Sequence, residues 1–569
     1  MDKNEIIAIL EDIATLMELK GENPFKVRAY RTAARNLENV EEDLESVAEE
    51  NRLHEIPGIG KAIEEKITTL LQTDQLPFYE DLKNSIPPGL LEILNVPGLG
   101  SKKINVLYKK LKITSLDKLK KACEKGKVRK LAGFGEKTEA NILDGIAHLE
   151  QYSKRTLWWS AMVMVQPIVE KLKKLKQVQE VKIAGSLRRK LETVGDFDIL
   201  IASSNPEPIM DWFTSQDFVE SVIAKGSTKS SIRLNEGIQA DIRIVPKEQF
   251  GFALLYFTGS KEHSIRLRQI AKDKGYSLNE YALTPLKKKL ITETDIYRAL
   301  GLTYIPPELR ENHGEIEAAQ TKGLPHLIEE SDIRGVFHNH TTASDGHNTL
   351  EQMVKGAEEL GWEYLGIADH SKSSFQANGL DEESLLEQID QIKKINRSKK
   401  YKTHIFSGTE CDILKNGNLD YADEILKQLD YVVVSVHTRF KLDEKEMTKR
   451  IIKALENPYT TMLGHMTGRL LLRREPYLLN TEKIIDAAIA NGKIIELNAN
   501  PQRLDMDWRL WHRAKEKGLK CSINPDAHSV EGLEFFRAGV NIARKGWLTK
   551  DDVLNAWPLS RVKKYLSQS

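Results

Sequence analysis

Acidic and imidazole side chains gather at the polar ends of short apolar runs in two separate parts of this chain. In VKIAGSLRRKLETVGDFDILIAS (181–203), Asp196 and Asp198 flank Phe197 at the head of the run ILIA. Side chains alternate along a strand, so the two carboxylates share one face and Phe197 takes the other. Carboxylates this close repel, and a cation between them resolves the repulsion. Downstream, IQADIRIVP (238–246) alternates again, with Gln239, Asp241 and Arg243 on one face. Asp241 can supply a third carboxylate from a neighbouring strand. Three acids at one strand edge suit two Mg2+ (or Mn2+) ions bridging an attacking hydroxyl and a nucleoside triphosphate. Ser186, in the turn after VKIAG, and the guanidinium of Arg189 are placed to take the phosphate tail.

The second gathering opens in FHNHTTASDGHNTL (337–350), where His338 and His340 end an apolar run and Asp345 follows in the loop. Of six further runs of similar length, five carry His370, Glu410, His437, His465, and the pair Asp526 and His528 at or near their C-terminal tips. A lone histidine at a strand end is ordinarily a satisfied polar residue, but this many at the same end of six strands is a metal centre. Imidazole mixed with carboxylate suits Zn2+, Mn2+ or Fe2+, and this many ligands exceed one tetrahedral site, so two or three ions are expected. Such a centre lowers the pKa of a bound water towards roughly 7 and polarises a phosphoryl oxygen, so the chemistry is phosphoester hydrolysis. His347, His404 and Cys411 fall outside the pattern, and Arg439 reads as a surface arginine.

A third signal is repeated rather than clustered. IPGIGKAIEEKI (56–67), VPGLGSKKINVL (96–107) and LAGFGEKTEANIL (131–143) each place G-x-G between an apolar residue and a helix-like run. Glycine permits a tight turn, and the helix behind it offers free N–H groups to a phosphate. Gly58, Gly60, Gly98, Gly100 and Lys102 are thus candidate contacts to a nucleic-acid backbone, gripped without reading bases. The third copy is the weaker, because Ala132 stands where the others have proline.

The elements that position these residues must form several domains. A chain of 569 residues exceeds one core, and domains of roughly 100–200 residues predict three to five. Lys+Arg 84 against Asp+Glu 83 leaves a net charge of +1, so basic patches must be local. Three scattered cysteines exclude a disulfide framework and fit a reducing cytoplasm. The N-terminus repeats Ile6, Leu10, Ile13 and Met17 at helical spacing, not as a signal peptide, and no apolar run approaches the roughly 20 residues of a membrane span. After about residue 334, strand-like runs alternate with helix-like stretches, which predicts a parallel α/β barrel with its site at the C-terminal strand ends.

GSLRR…GDFDIL, with YFTGS (256–260) and KGYSLNEYAL (274–283), resembles the signature of family X DNA polymerases. The last 240 residues resemble the polymerase and histidinol phosphatase (PHP) superfamily, matching all nine ligand positions. The resemblance implies a multidomain α+β and α/β fold: a helix-hairpin-helix N-terminal region, a nucleotidyltransferase palm with a mixed sheet, a thumb, and a distorted (β/α)7 barrel. The implied boundaries are a lyase-like domain at 1–85, a fingers-like domain at 86–150, palm at 151–247, thumb at 248–315, linker at 316–332 and PHP domain at 333–569.

By the same resemblance Asp196 and Asp198 hold both polymerase metals. Asp241 holds the catalytic one and helps to deprotonate the primer 3′-hydroxyl. Gly185, Ser186, Arg189 and Gly195 bind triphosphate; Tyr256, Phe257 and Gly259 contact the sugar; Arg268 meets the template. His338, His340, Glu410 and Asp526 hold one barrel ion, Glu410 bridges to a second on His437 and His465, and Asp345, His370 and His528 hold a third. Lys66 falls at the Schiff-base lysine of a lyase, although Ala62 and Phe25 depart from that pocket, as Lys261 and Ser264 depart at the nucleotide site. The implied activity is gap-filling repair synthesis with a 3′–5′ exonuclease and an abasic-site endonuclease. Its partners are dNTPs and gapped, nicked or abasic DNA, and the protein is a cytoplasmic, nucleoid-associated monomer. The alternatives are a barrel that acts as a phosphatase or pyrophosphatase on small phosphoesters, and a structural metal barrel on a DNA-binding scaffold.

Overall fold

The structure is a computed structural model that describes residues 3–38, 44–73, 75–94, 96, 99–152, 155–286, 290–321 and 323–567. It divides into two compact units, 1–154 and 155–569.

The first unit is helical. Its helices include Lys3–Lys20, Pro24–Glu38, Lys61–Thr73, Ser101–Leu111 and Glu136–Tyr152. The two expected helical domains share one apolar core that runs from Ile6 through Ile67 and Leu107 to Ile146. Short helices with one apolar face each cannot bury it alone, so the two halves pool their cores. The described residues of the three G-x-G segments share one turn hydrogen bond. In each, the N–H of the residue between the glycines closes a turn: Ile59 to Ile56 O at 3.1 Å, Leu99 to Val96 O at 3.1 Å, and Phe134 to Leu131 O at 3.0 Å. Ile59, Leu99 and Phe134 are all buried, so the middle residue anchors the turn and the next helix starts directly after it. The third copy follows the same plan without its proline.

The second unit opens with a five-stranded sheet: β1 (Glu180–Ile183), β2 (Asp196–Ala202), β3 (Val219–Lys225), β4 (Lys229–Leu234) and β5 (Gln239–Val245). The spatial order is β1-β2-β5-β4-β3. Only β2 and β5 pair in parallel, and their register sets Asp198 beside Asp241 and Asp196 beside Gln239. Phe197, Ala240, Ile242 and Ile244 are buried on the opposite face, as their alternation requires. The helices Phe250–Thr258, Lys261–Asp273 and Glu293–Ala299 follow, with a small core around Leu267, Ile296 and Tyr297.

The expected linker docks locally and contains a short helix. Glu315–Gln320 is a helix with Ile316 buried, and Ile328 is buried with its N–H on Leu548 O at 3.0 Å.

The barrel strands are β6 (Gly335–Val336), β7 (Tyr364–Ile367), β8 (His404–Ser407), β9 (Glu410–Asp412), β10 (Val433–Ser435), β11 (Met462–Leu463), β12 (Ile494–Asn498) and β13 (Cys521–Asn524). All pair in parallel, as sheets β6-β7-β8 and β9-β10-β11-β12-β13. The sheets join through parallel bridges His370 to Glu410 and Asn339 to Ala527, which close the ring. The seven runs read from the sequence are present, the third broken into β8 and β9 at Gly408-Thr409. At the break a Cβ on Gly408 would lie 2.4 Å from the Tyr431 ring, so the position takes only glycine. The barrel and the five-stranded sheet share a continuous apolar core, with Trp159 edge-on to Phe535 at 5.4 Å. Among the described residues no helix is long and apolar enough to cross a membrane.

Candidate functional site: two carboxylate centres and a hairpin surface

The sheet centre is built at the N-terminal ends of β2 and β5. Asp198 sits between the turn at Gly185 and Asp241. Gly185 has φ +61, and a Cβ there would meet Asp198 Oδ2 at 2.1 Å, so the turn can approach the carboxylate only as glycine. Burial, and then the charges of Asp196 and Asp241, push the Asp198 pKa up to about 6. Burial and the Asp241 charge also raise Asp196. Burial would raise Asp241 too, but hydrogen bonds from Lys229, Gln239 and Ser231 outweigh it and hold Asp241 below the usual carboxylate range. Lys229 Nζ lies 2.7 Å from Asp241 Oδ2, and Gln239 Nε2 donates to Asp241 Oδ1 at 2.8 Å. Three crowded carboxylates, one of them held up near neutrality and another already attracting an ammonium, form a donor set that fits divalent cations.

The remaining residues predicted here converge on that edge. Ser186 lies in the short helix Gly185–Arg188, and Gly195 directly precedes β2. The guanidinium of Arg243 covers the Phe257 ring at 4.6 Å, and Tyr256 packs edge-on to Phe257 at 5.1 Å. A Cβ on Gly259 would lie 3.2 Å from Arg189 Nη1. Arg189 itself donates to Thr258 O at 2.5 Å and to Glu311 Oε1 at 3.1 Å. Arg268 and Ser264 line a small cleft with Tyr256 and Asn279. Lys229 was missed by sequence reasoning, and its only signal is its place on the strand beside β5.

The barrel centre brings all nine predicted ligands together. Glu410 is its hub: Oε2 lies 3.3 Å from His338 Nε2 and 3.8 Å from His340 Nε2, while Oε1 lies 3.2 Å from His437 Nε2 and 2.8 Å from His465 Nε2. Asp526 Oδ1 closes the first group at 3.3 Å from His340 Nε2. Asp345 Oδ2 gathers His370 Nε2 at 3.5 Å and His528 Nε2 at 3.3 Å. His370 reaches both ways, with Nδ1 3.0 Å from Glu410 Oε2. Both ring nitrogens of the buried His340 lack a hydrogen-bond partner, as do His338 Nε2, His370 Nδ1 and His465 Nδ1. Buried polar atoms are ordinarily satisfied, so five orphaned imidazole nitrogens, four of them facing carboxylates, fit metal ions.

A second layer orients these ligands. His338 Nδ1 is 2.7 Å from Glu496 Oε1, and His437 Nδ1 is 3.0 Å from Asp412 Oδ1. Each carboxylate fixes which ring nitrogen faces the centre. Burial disfavours a charged imidazole, yet Glu410 and Asp412 raise His437 to about 9. His340 goes the other way, to about 4, through burial and the neighbouring His528 and His370. Glu496 and Asp412 were missed by sequence reasoning, although each is an acid within an apolar run. A cleft of about 690 Å3 opens over the centre, rimmed by Phe375, Phe440, Arg474 and Arg503. Arg503 Nε lies 3.4 Å from Asp526 Oδ2. His347, His404 and Cys411 do not line it.

In the first unit, Gly58, Gly60, Lys61 and Lys66 line a cavity of about 960 Å3 with Lys20, Lys26 and Phe78. Lys66 Nζ donates to Ala62 O at 2.9 Å and lies 4.8 Å over the Phe78 ring. Phe25 is 78% exposed and takes no part. Gly100 caps the helix that begins at Ser101, where the Lys102 side chain is 81% exposed. Gly98 lies outside the described residues.

These features define a nucleotidyltransferase fused to a metal-dependent phosphoesterase, with hairpin modules for nucleic acid. Family profiles agree: a helix-hairpin-helix domain over residues 1–76, a SAM-like helix-hairpin-helix tandem over 90–147, the DNA polymerase beta thumb over 253–311 and the PHP domain over 337–500. The tandem spans the second and third G-x-G copies. The chain is 38% identical over 575 aligned residues to the DNA polymerase/3′-5′ exonuclease PolX of Bacillus subtilis (strain 168), covering 100% of both. It is 28% identical to a probable phosphatase of Thermoanaerobacter sp. (strain X514), over 41% of this chain and 93% of the other. It is 24% identical to DNA polymerase lambda of Rattus norvegicus, over 53% and 55%. The chain belongs to the family X DNA polymerases that carry a C-terminal PHP domain, and it is a metal-dependent enzyme that binds DNA and nucleotides.

Proposed function

We propose that the protein fills short gaps in damaged DNA at the sheet centre and removes 3′ nucleotides, or cleaves at abasic sites, at the barrel centre. Asp196, Asp198 and Asp241 would hold two Mg2+ or Mn2+ ions there, which when bound align the 3′-hydroxyl with the α-phosphate and offset charge on the leaving pyrophosphate. By the family resemblance, Asp241 is the member that would help to draw the proton from the 3′-hydroxyl. Gly185, Ser186, Arg189 and Gly195 take the triphosphate, Tyr256, Phe257 and Gly259 the sugar, and Arg268 the template. Gly58, Gly60, Gly98, Gly100 and Lys102 hold phosphates of gapped, nicked or abasic DNA, and the protein works as a monomer. Lys66, with the hairpin turn and three other lysines around its cavity, is placed for Schiff-base chemistry on an abasic sugar.

In the barrel, two or three Zn2+, Mn2+ or Fe2+ ions held by the nine ligands would activate a water and polarise the scissile phosphate. Arg503 and Arg474 meet the phosphate's remaining charge, and Phe375 and Phe440 offer ring faces to unpaired bases. The observation that supports the two-site reading is that the aspartates lie on the five-stranded sheet and the histidines at the barrel strand ends, and the two sets share no residue. Asp196→Ala with Asp198→Ala should abolish nucleotide addition and spare hydrolysis of a 3′-labelled strand. His338→Ala with His340→Ala should do the reverse. A folded double variant that lost both activities would overturn it.

One finding favours a second reading of the barrel, as a phosphatase on small phosphomonoesters: the resemblance to a probable phosphatase over 93% of that protein. Phosphate release from small esters without loss of terminal nucleotides from DNA would establish it.

A further inference from the structure

Lys545 ends the barrel helix Phe536–Lys545, and its side chain is 0% exposed. A buried ammonium needs an acceptor for each of its three protons. Lys545 finds all three outside the barrel's own strands and helices. Its Nζ donates to the carbonyl of Arg189 at 3.0 Å, the carbonyl of Glu308 at 3.1 Å and Oε1 of Glu311 at 2.7 Å. The same Glu311 oxygen accepts from Arg189 Nε at 3.1 Å. One carboxylate is therefore shared between a lysine of the hydrolytic barrel and the arginine read above as a triphosphate ligand. The barrel also grips the same segment further on: Arg469 and Arg509 come within 3.6 Å and 3.4 Å of Glu192 Oε1. The stretch from Gly185 to Asp196, which sets the turn against Asp198, is thus braced from behind by the other enzyme.

We propose that Lys545 is a positioning residue for nucleotidyl transfer: by holding Glu311 and the Arg189 carbonyl, it governs how readily the Arg189 guanidinium leaves Glu311 for a nucleoside triphosphate. The physical reason is the cost of a stranded charge. When a triphosphate draws Arg189 away, Glu311 remains neutralised by Lys545. Without Lys545 the departure leaves a largely buried carboxylate unpaired, so Arg189 stays where it is. The barrel then tunes the polymerase without touching its substrates. The inference rests on Arg189 being a triphosphate ligand, and the experiment separates the two.

Single-nucleotide gap filling by the full-length protein supplies KM for the dNTP and kcat, with degradation of a 3′-labelled strand as the control for the barrel. Lys545→Met should raise KM about tenfold, the scale of a lost charge partner, with kcat within about twofold and strand degradation unchanged. Adding Glu311→Gln to it should bring KM back to the parental value or below it, because Arg189 is then released from its carboxylate. A purely structural role would instead lower kcat, strand degradation and melting temperature together, without rescue. Arg189→Ala is the reference: an unchanged KM there overturns the triphosphate reading itself. A raised KM in Arg189→Ala beside an unchanged KM in Lys545→Met overturns the role of Lys545 alone. Should Lys545→Met fail to fold, Glu311→Gln carries the test, since freeing Arg189 must lower KM, and an equal or higher KM overturns the proposal.

Discussion

At the residue scale the sheet centre depends on one missing methyl group. Gly185→Ala places a Cβ 2.1 Å from Asp198 Oδ2 and forces a left-handed backbone onto alanine. Either the turn or the carboxylate must move. A displacement of about 1 Å in such a site lowers rate by about a hundredfold, so nucleotide addition should fall by that order while 3′ strand degradation is unchanged. A Gly185→Ala enzyme that polymerises normally would show that the turn does not set the position of Asp198. In the barrel the corresponding test is Glu496→Gln, which takes the negative charge from behind His338 but leaves the ligand in place. The Mn2+ concentration giving half-maximal strand degradation should rise about 10- to 100-fold, with gap filling unaffected. An unchanged metal requirement would reduce Glu496 to a packing residue. The outer residues were harder to read than the ligands for a simple reason. Ligands repeat at strand tips, whereas Glu496, Asp412 and Lys229 are single polar residues whose meaning depends on which side chain lies opposite.

At the element scale, alternation and strand-end placement carried most of the fold. Phe197 and Ala240 face the core while Asp198 and Asp241 meet in register, as period-two patterning requires. The barrel runs were legible because each is apolar with a polar tip. The break in the third run was not, because the close approach of the Tyr431 ring to Gly408 there appears only in the fold. Nor was the helix Glu315–Gln320 legible, since the segment around it shows no sustained apolar period. The element contacts also predict a pH response. Glu293, at the start of Glu293–Ala299, is gripped by Arg188 through 3.0 Å and 2.6 Å contacts and by Arg310 at 2.6 Å. Burial alone would raise its pKa, but the Arg310 and Arg188 charges prevail and bring it from 4.5 down to about 2. A lowered carboxylate pKa stabilises the folded state above the unfolded value and loses that contribution as pH falls through the folded one. Glu293→Gln strands the buried Arg310 guanidinium and should destabilise by about 3 kcal/mol at pH 7. The gap in melting temperature between parent and variant should then narrow below pH 4.5. A gap of constant size down to pH 3 would mean that the Glu293 charge does not stabilise the fold.

At the scale of the whole molecule, a net charge of +1 conceals where the positive charge is placed. Lys61, Lys102 and Lys137 each lie within the first two residues of the helix that follows a G-x-G turn, or at its very start. There the ammonium adds to free N–H groups that already favour a phosphate. The three aspartates of the sheet centre would repel a polyanion without cations, so the attraction of DNA there must come largely from such local sites. Binding to a gapped duplex should therefore weaken steeply with salt, because each phosphate contact releases counterions. Replacing Lys61, Lys102 and Lys137 together with glutamine should flatten the slope of log K against log salt by about 2 to 3, since each lost contact removes roughly 0.9. Nucleotide addition at saturating DNA should be unchanged, because the three lysines belong to the first unit and the aspartates to the second. An unaltered slope in a triple variant that still folds would mean that the hairpin turns organise the helical core and leave the holding of DNA to other surfaces.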